Sequence, residues 1–247
     1  MARANRYFIS GHIWHITHRC HKKDYLFRFR KDRNCWLHWL FEAKKRFNVS
    51  VLDYIVTSNH IHLLVSDNTG EGNIPGFMQL VQGRTAQEYN NRMNRKGAFW
   101  EDRYHATAIA SDGHIIQCMV YISMNMVRAG VVDHPVRWKE SGYYEIMHPK
   151  KRYAIINYTS LLKILGIATL ERLHDLQQEW IKDALDGKHI ERESKWTEAI
   201  AVGNKAFLEN IREQLNIKAK ARIIRKSGET HELSEPLMPY IPYNALF

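Results

Sequence analysis

Two short apolar runs, Val49–Val56 and His60–Ser66, are separated by only three polar residues, Thr57-Ser58-Asn59. Runs this short, rich in Val, Ile and Leu and joined by so tight a link, read as an antiparallel β-hairpin. The flanking pattern fits around that hairpin. Gly11–Arg19 alternates as a strand does, with Ile13, His15 and Thr17 on one side and Trp14, Ile16 and His18 on the other. Asp32–Phe47 sets Trp36, Trp39, Leu40, Ala43 and Phe47 at helical spacing, a stripe that faces a core. After a polar loop over Asp67–Asn73, Pro75 opens a helix running to about Arg95 and ending near Gly97. Phe99–Ala110 reads as a strand, and Gly113–Ala129 as a helix stopped by Gly130. The order predicts an α+β fold, an antiparallel sheet with helices packed on one face.

Beyond Trp138 helical periods dominate, over Tyr158–Leu165, Thr169–Leu185, Lys195–Val202 and Lys205–Leu215. The expected division is a first domain over residues 1–152, a helical accessory domain over 153–235, and an irregular, proline-containing tail over 236–247. Charge divides in a similar place. Residues 1–159 hold 23 Lys and Arg against 13 Asp and Glu, which accounts for the whole net charge of +10. The remainder holds 13 of each. A surplus confined to one part points to a polyanionic partner there. No apolar stretch is long enough to span a membrane, and basic residues and histidines interrupt Met1–Cys20, so neither a membrane anchor nor a signal peptide is expected. Three cysteines, Cys20, Cys35 and Cys118, show no C-x-x-C spacing and suit a reducing cytoplasm.

The triplet His60-Ile61-His62 is weak by itself, because 14 histidines in 247 residues supply about 0.8 such triplets by chance. Its place on a strand strengthens it: residues i and i+2 face one side, so two imidazoles converge while Ile61 packs behind them. Imidazoles so paired suit a divalent metal. On the helix over Gly113–Ala129, Tyr121 and Asn125 stand at i and i+4 and share a face. A phenol, an amide oxygen and two imidazoles are together the ingredients of phosphoryl transfer, with a metal polarising the phosphodiester and a phenolate attacking it.

Three stretches carry a family resemblance: Thr57–Val65, containing His60-Ile61-His62; Phe99-Trp100-Glu101-Asp102-Arg103-Tyr104; and Tyr121-Ile122-Ser123-Met124-Asn125-Met126-Val127-Arg128-Ala129-Gly130. They resemble, in order and spacing, the motifs of the single-tyrosine HUH transposases, specifically the REP-associated tyrosine transposase branch. The resemblance implies a ferredoxin- or RRM-like HUH fold. It also implies His60, His62 and Asn125 as ligands of Mg2+ or Mn2+, and Tyr121 as the nucleophile. The implied reaction cleaves single-stranded or hairpin DNA, leaves a 5′-phosphotyrosine and a free 3′-hydroxyl, and can be reversed for strand transfer, by a monomer or a homodimer. The family's proline after the Asn is Met126 here.

Trp100 is a candidate for base stacking and Arg103 for phosphate, with Arg84, Arg95, Lys96 and Arg128 as further phosphate contacts. Two other readings remain open. His15-Ile16-Thr17 and His105-Ala106-Thr107 are both H-x-T triplets, as a metal-free two-histidine phosphoesterase would need. Lys195–Val202, Gly203-Asn204 and Lys205–Leu215 could instead form a helix-turn-helix in a DNA-binding regulator with little catalysis.

Overall fold

The expected hairpin forms as strands β2 (Val49–Val56) and β3 (His60–Asp67), closed by the Thr57 N–H donating to the His60 carbonyl at 2.9 Å. The computed structural model describes residues 9–67, 72–111, 113–187, 191–216, 222–227 and 230–235; the tail expected over 236–247 lies outside them. Strand β1 (Ile13–Arg19) lies antiparallel along the free side of β3, and β4 (His105–Ile109) antiparallel along β1. The register sets Thr17 opposite His62 and Arg19 opposite His60.

Helix α1 (Arg30–Phe47) ends where Asn48 turns left-handed at φ 50°, and α2 (Ile74–Arg92) carries Pro75 in its first turn, where the missing N–H costs no bond. The two pack on each other. Trp100 joins α2 to the Ile16 side of the sheet: its ring stacks on His18 at 4.1 Å and its indole N–H donates to the Gln82 carbonyl at 3.1 Å. On the other side, His15 meets Tyr121 and the segment around Trp196. Ile61, Leu63 and Val65 are fully buried on one face, and His15, His62 and Leu64 on the other. The α+β fold expected from the sequence forms, and both faces of its central strands are covered.

Three elements depart from the periodicity. The strand read over Phe99–Ala110 shortens to β4, because Trp100 makes a single bridge to Cys20 before the chain bends. The long helix read over Gly113–Ala129 is two, α3 (Gly113–Ser123) and α4 (Asn125–Arg128). At the break the Arg128 guanidinium offers the Tyr121 carbonyl a side-chain partner at 2.7 Å. Met126, second residue of α4, sits where a helical N–H has no intrahelical partner, so a residue other than proline is accommodated there without loss, and its side chain is buried.

The third departure is the largest. Helices α5 (Gly142–Met147), α6 (Tyr158–Leu165) and α7 (Leu170–Asp186) follow along the chain. The helix expected over Lys195–Val202 is only α8 (Lys195–Glu198). It gives way to strand β5 (Ala201–Gly203), which pairs parallel to β4. Helix α9 (Lys205–Leu215) forms as expected, but β6 (Ile223–Ser227) and β7 (Thr230–Ser234) then complete one seven-stranded sheet in the order β2-β3-β1-β4-β5-β7-β6. The helix-turn-helix reading thus loses its first helix. Ala199-Ile200-Ala201-Val202 is a short, wholly buried run, which periodicity cannot distinguish from helix.

Candidate active site

Alternation on β3 turns His60 and His62 to one face and the fully buried Ile61 to the other. The hydrogen bonds around each ring fix which nitrogen carries the proton. His15 Nδ1 lies 2.8 Å from the Trp196 carbonyl, which can only accept, so Nδ1 is the donor. Burial pushes His15 down to about 3, so its ring is neutral and Nε2 is a bare acceptor. His62 Nδ1, at 3.0 Å, donates to it, and His62 Nε2 keeps its lone pair. His60 follows the same logic through the turn. Its Nδ1 stands 2.7 Å from Asn59 Oδ1 and 2.9 Å from Thr57 Oγ1, which leaves Nε2 bare. Both rings are neutral near pH 7. Burial, then the Arg19 charge, lowers His60 to about 4; burial, then the repulsion that a second proton beside His60 would meet, holds His62 well below its usual value.

Asn125 reaches this pair from α4. Its Nδ2 is 2.9 Å from His62 Nε2, and it also hydrogen-bonds His60. A half-turn of the amide presents Oδ1 to the same point. Among the described residues no group of three His, Cys, Asp or Glu is arranged to hold a metal. Two imidazole nitrogens and an amide oxygen nevertheless form a donor set that fits a divalent cation and leaves positions open for substrate. Tyr121, on α3 one turn before Asn125, is edge-on to His62 with ring centroids 5.7 Å apart. Arg128 lies over its ring at 4.1 Å. Burial raises the phenol's pKa, and the charges of Arg128 and Arg192 oppose that rise. A tyrosine flanked by arginines, beside two lone pairs aimed at one point, can attack a phosphodiester.

Residues 9–125 match the profile of transposases of the IS200-like family. This segment is similar to IS200-like transposases. A solved REP-associated tyrosine transposase bound to a REP hairpin shares its fold, with a TM-score of 0.52 at 18% identity, covering 60% of this chain and 87% of that one. A Deinococcus radiodurans protein described as a transposase aligns at 15% identity over 49% of this chain and 95% of its own, with a TM-score of 0.34. No curated protein matches the chain significantly. The match over residues 9–125 supports a transposase, an enzyme that acts on DNA, for that segment. No described helix is long and apolar enough to cross a membrane.

Several sequence candidates lie elsewhere in the segment that matches the family. Trp100 is packed between His18, Phe27 and Phe99 on the opposite face of the sheet. Arg84 lies over Trp39 on the α1–α2 surface, 5.5 Å from its ring centroid. Arg95 closes the end of α2 through Asn90 Oδ1 and the Ala98 carbonyl, and Lys96 beside it is exposed. Arg103 is exposed two residues after Glu101, the ion-pair partner of Arg19. Only Arg128 among the proposed phosphate contacts touches Tyr121.

The phosphoesterase reading fails on geometry, because His15 is fully buried with both nitrogens bonded inside the protein, and Thr107 Oγ1 donates to the Ala199 carbonyl at 2.8 Å. Sequence reasoning missed Trp196 and Arg192, which follow a long helical stretch and carry no motif. It also missed the use of Thr57 and Asn59, visible in sequence only as a polar turn.

Proposed function

We propose that Tyr121 is the nucleophile of a transposase that acts on single-stranded DNA folded into a hairpin, with His60, His62 and Asn125 holding Mg2+ or Mn2+. The observation that carries this reading is the convergence of the bare Nε2 atoms of His60 and His62, on β3, with Asn125 of α4 beside Tyr121 of α3. The bound cation supplies charge that polarises the scissile phosphodiester. The Tyr121 oxygen attacks phosphorus as its proton is lost, a Tyr121–phosphorus bond forms, and the bond from phosphorus to the 3′ oxygen breaks. That oxygen takes a proton and leaves as a 3′-hydroxyl, while the 5′ phosphate stays on Tyr121. Attack by a 3′-hydroxyl on the phosphotyrosine reverses the step and joins strands. Arg128 steadies the tyrosine and offers charge to the phosphate. The hairpin preference rests on the relative solved with a REP hairpin.

The test is incubation with labelled hairpin oligonucleotides and Mg2+ or Mn2+, followed by a denaturing gel. Wild type is expected to leave a protein–DNA adduct, and Tyr121→Phe to bind DNA without one. An adduct formed by the Phe variant would sink the assignment.

A further inference from the structure

His15 is wholly buried and spends both ring nitrogens on the protein, one on the Trp196 carbonyl at 2.8 Å and the other on His62 Nδ1 at 3.0 Å. It therefore reaches neither solvent nor substrate. Its ring lies nearly parallel to that of His62, with an interplanar angle of 9° and centroids 5.1 Å apart. The anchoring carbonyl belongs to α8, outside the segment that matches the transposase family. Its position is fixed independently: the Ala108 N–H donates to the Ile200 carbonyl at 2.9 Å, Thr107 Oγ1 to the Ala199 carbonyl, and β5 pairs with β4. The Trp196 ring is fully buried and lies 6.0 Å from that of Tyr121.

We propose that His15 is a positioning residue of the catalytic centre, holding His62 with Nε2 bare, and that the segment around Trp196 completes the centre by fixing His15. The chain of bonds has one direction. The Trp196 oxygen accepts from His15 Nδ1, His15 Nε2 accepts from His62 Nδ1, and His62 Nε2 is left for a cation. Without an acceptor at position 15, His62 can carry its proton on either nitrogen, and one of those forms cannot bind metal. This rests on the metal-holding role given to His62 above.

The experiment uses the full chain without DNA and measures Mn2+ binding by calorimetry together with the ring nitrogens of His62 by 15N NMR. Wild-type His62 is expected to carry its proton on Nδ1. His15→Leu, which removes the acceptor, is expected to bind Mn2+ about 10–100-fold more weakly. His15→Gln, whose amide can both accept from His62 and donate to the Trp196 carbonyl, is expected to restore affinity to within about threefold. Wild-type Mn2+ affinity in a folded His15→Leu would overturn the role. If His15→Leu does not fold, the wild-type spectrum decides, and a proton on His62 Nε2 overturns it. Neither readout involves cleavage, so failure of the Tyr121 assignment would leave both results interpretable.

Discussion

Arg128 meets Tyr121 twice, with its guanidinium over the ring at 4.1 Å and one nitrogen on the Tyr121 carbonyl at 2.7 Å. The first contact places positive charge beside a phenol whose ionisation burial resists. The second offers the Tyr121 carbonyl a partner at the helix break. A charge-assisted hydrogen bond of this kind is worth about 1.5–3 kcal/mol, so Arg128→Ala should slow adduct formation by about 10–100-fold. The variant should also require higher pH, because its Tyr121 loses the largest influence that lowers the phenol's pKa. Single-turnover rates of adduct formation against pH check both effects. Arg128→Lys should recover part of the pH shift and less of the rate, since it keeps charge without the planar fork. An unchanged pH profile in Arg128→Ala would mean that the guanidinium does not act on the phenol.

At the scale of elements, the join between β5 and its neighbours leaves no room for a side chain at Gly203. A Cβ there would stand 2.6 Å from Phe207 Cδ1 and 2.7 Å from the Ala110 Cβ. Gly203→Ala should therefore destabilise the protein by about 1–3 kcal/mol through overpacking, read from the shift in urea midpoint. A midpoint equal to wild type would show that α9 moves freely against β5.

The same join marks where the sequence stopped being legible. The hairpin, α1, α2 and the His60–His62 face could be read because each is set by local period and by a turn only three residues long. Tyr121 and Asn125 could be read as neighbours because helical spacing brings them together, and the break at Met124 leaves them near each other. The placement of Trp100 could not be read, because the face it meets is chosen by the strand register that sets His18 opposite Ile61. Nor could β5: a four-residue apolar run acquires strand geometry only from the edge of β4, about ninety residues earlier in the chain. His15 stood out in sequence, but its partner Trp196 lies 181 residues away, and no local pattern joins them.

Across the whole molecule, the positive surplus of residues 1–159 is present beside the site as Arg19 and Arg128, and the charge-balanced remainder adds Arg192. The cost of assembling this centre is that its histidines must stay uncharged. His15 titrates at about 3 in the folded chain, through burial, against an ordinary value of 6.5. Between those values the unfolded chain binds a proton that the folded one does not, so the contribution to stability falls as pH falls below 6.5. From pH 7 to pH 5 that single group should account for about 2 kcal/mol of lost stability. Buried Asp53, raised well above its ordinary value by burial, has the opposite sign, with stability lost as pH rises through its folded value. A comparison of two proteins that both carry Asp53 cancels its effect. With metal removed by EDTA, wild type should therefore lose about 2 kcal/mol more than His15→Gln between pH 7 and pH 5, measured by urea unfolding at each pH. Equal losses in the two proteins would mean that His15 takes up its proton in the folded state as readily as in the unfolded one, and the one-way chain of bonds from His62 to Trp196 could not then be what holds the ring.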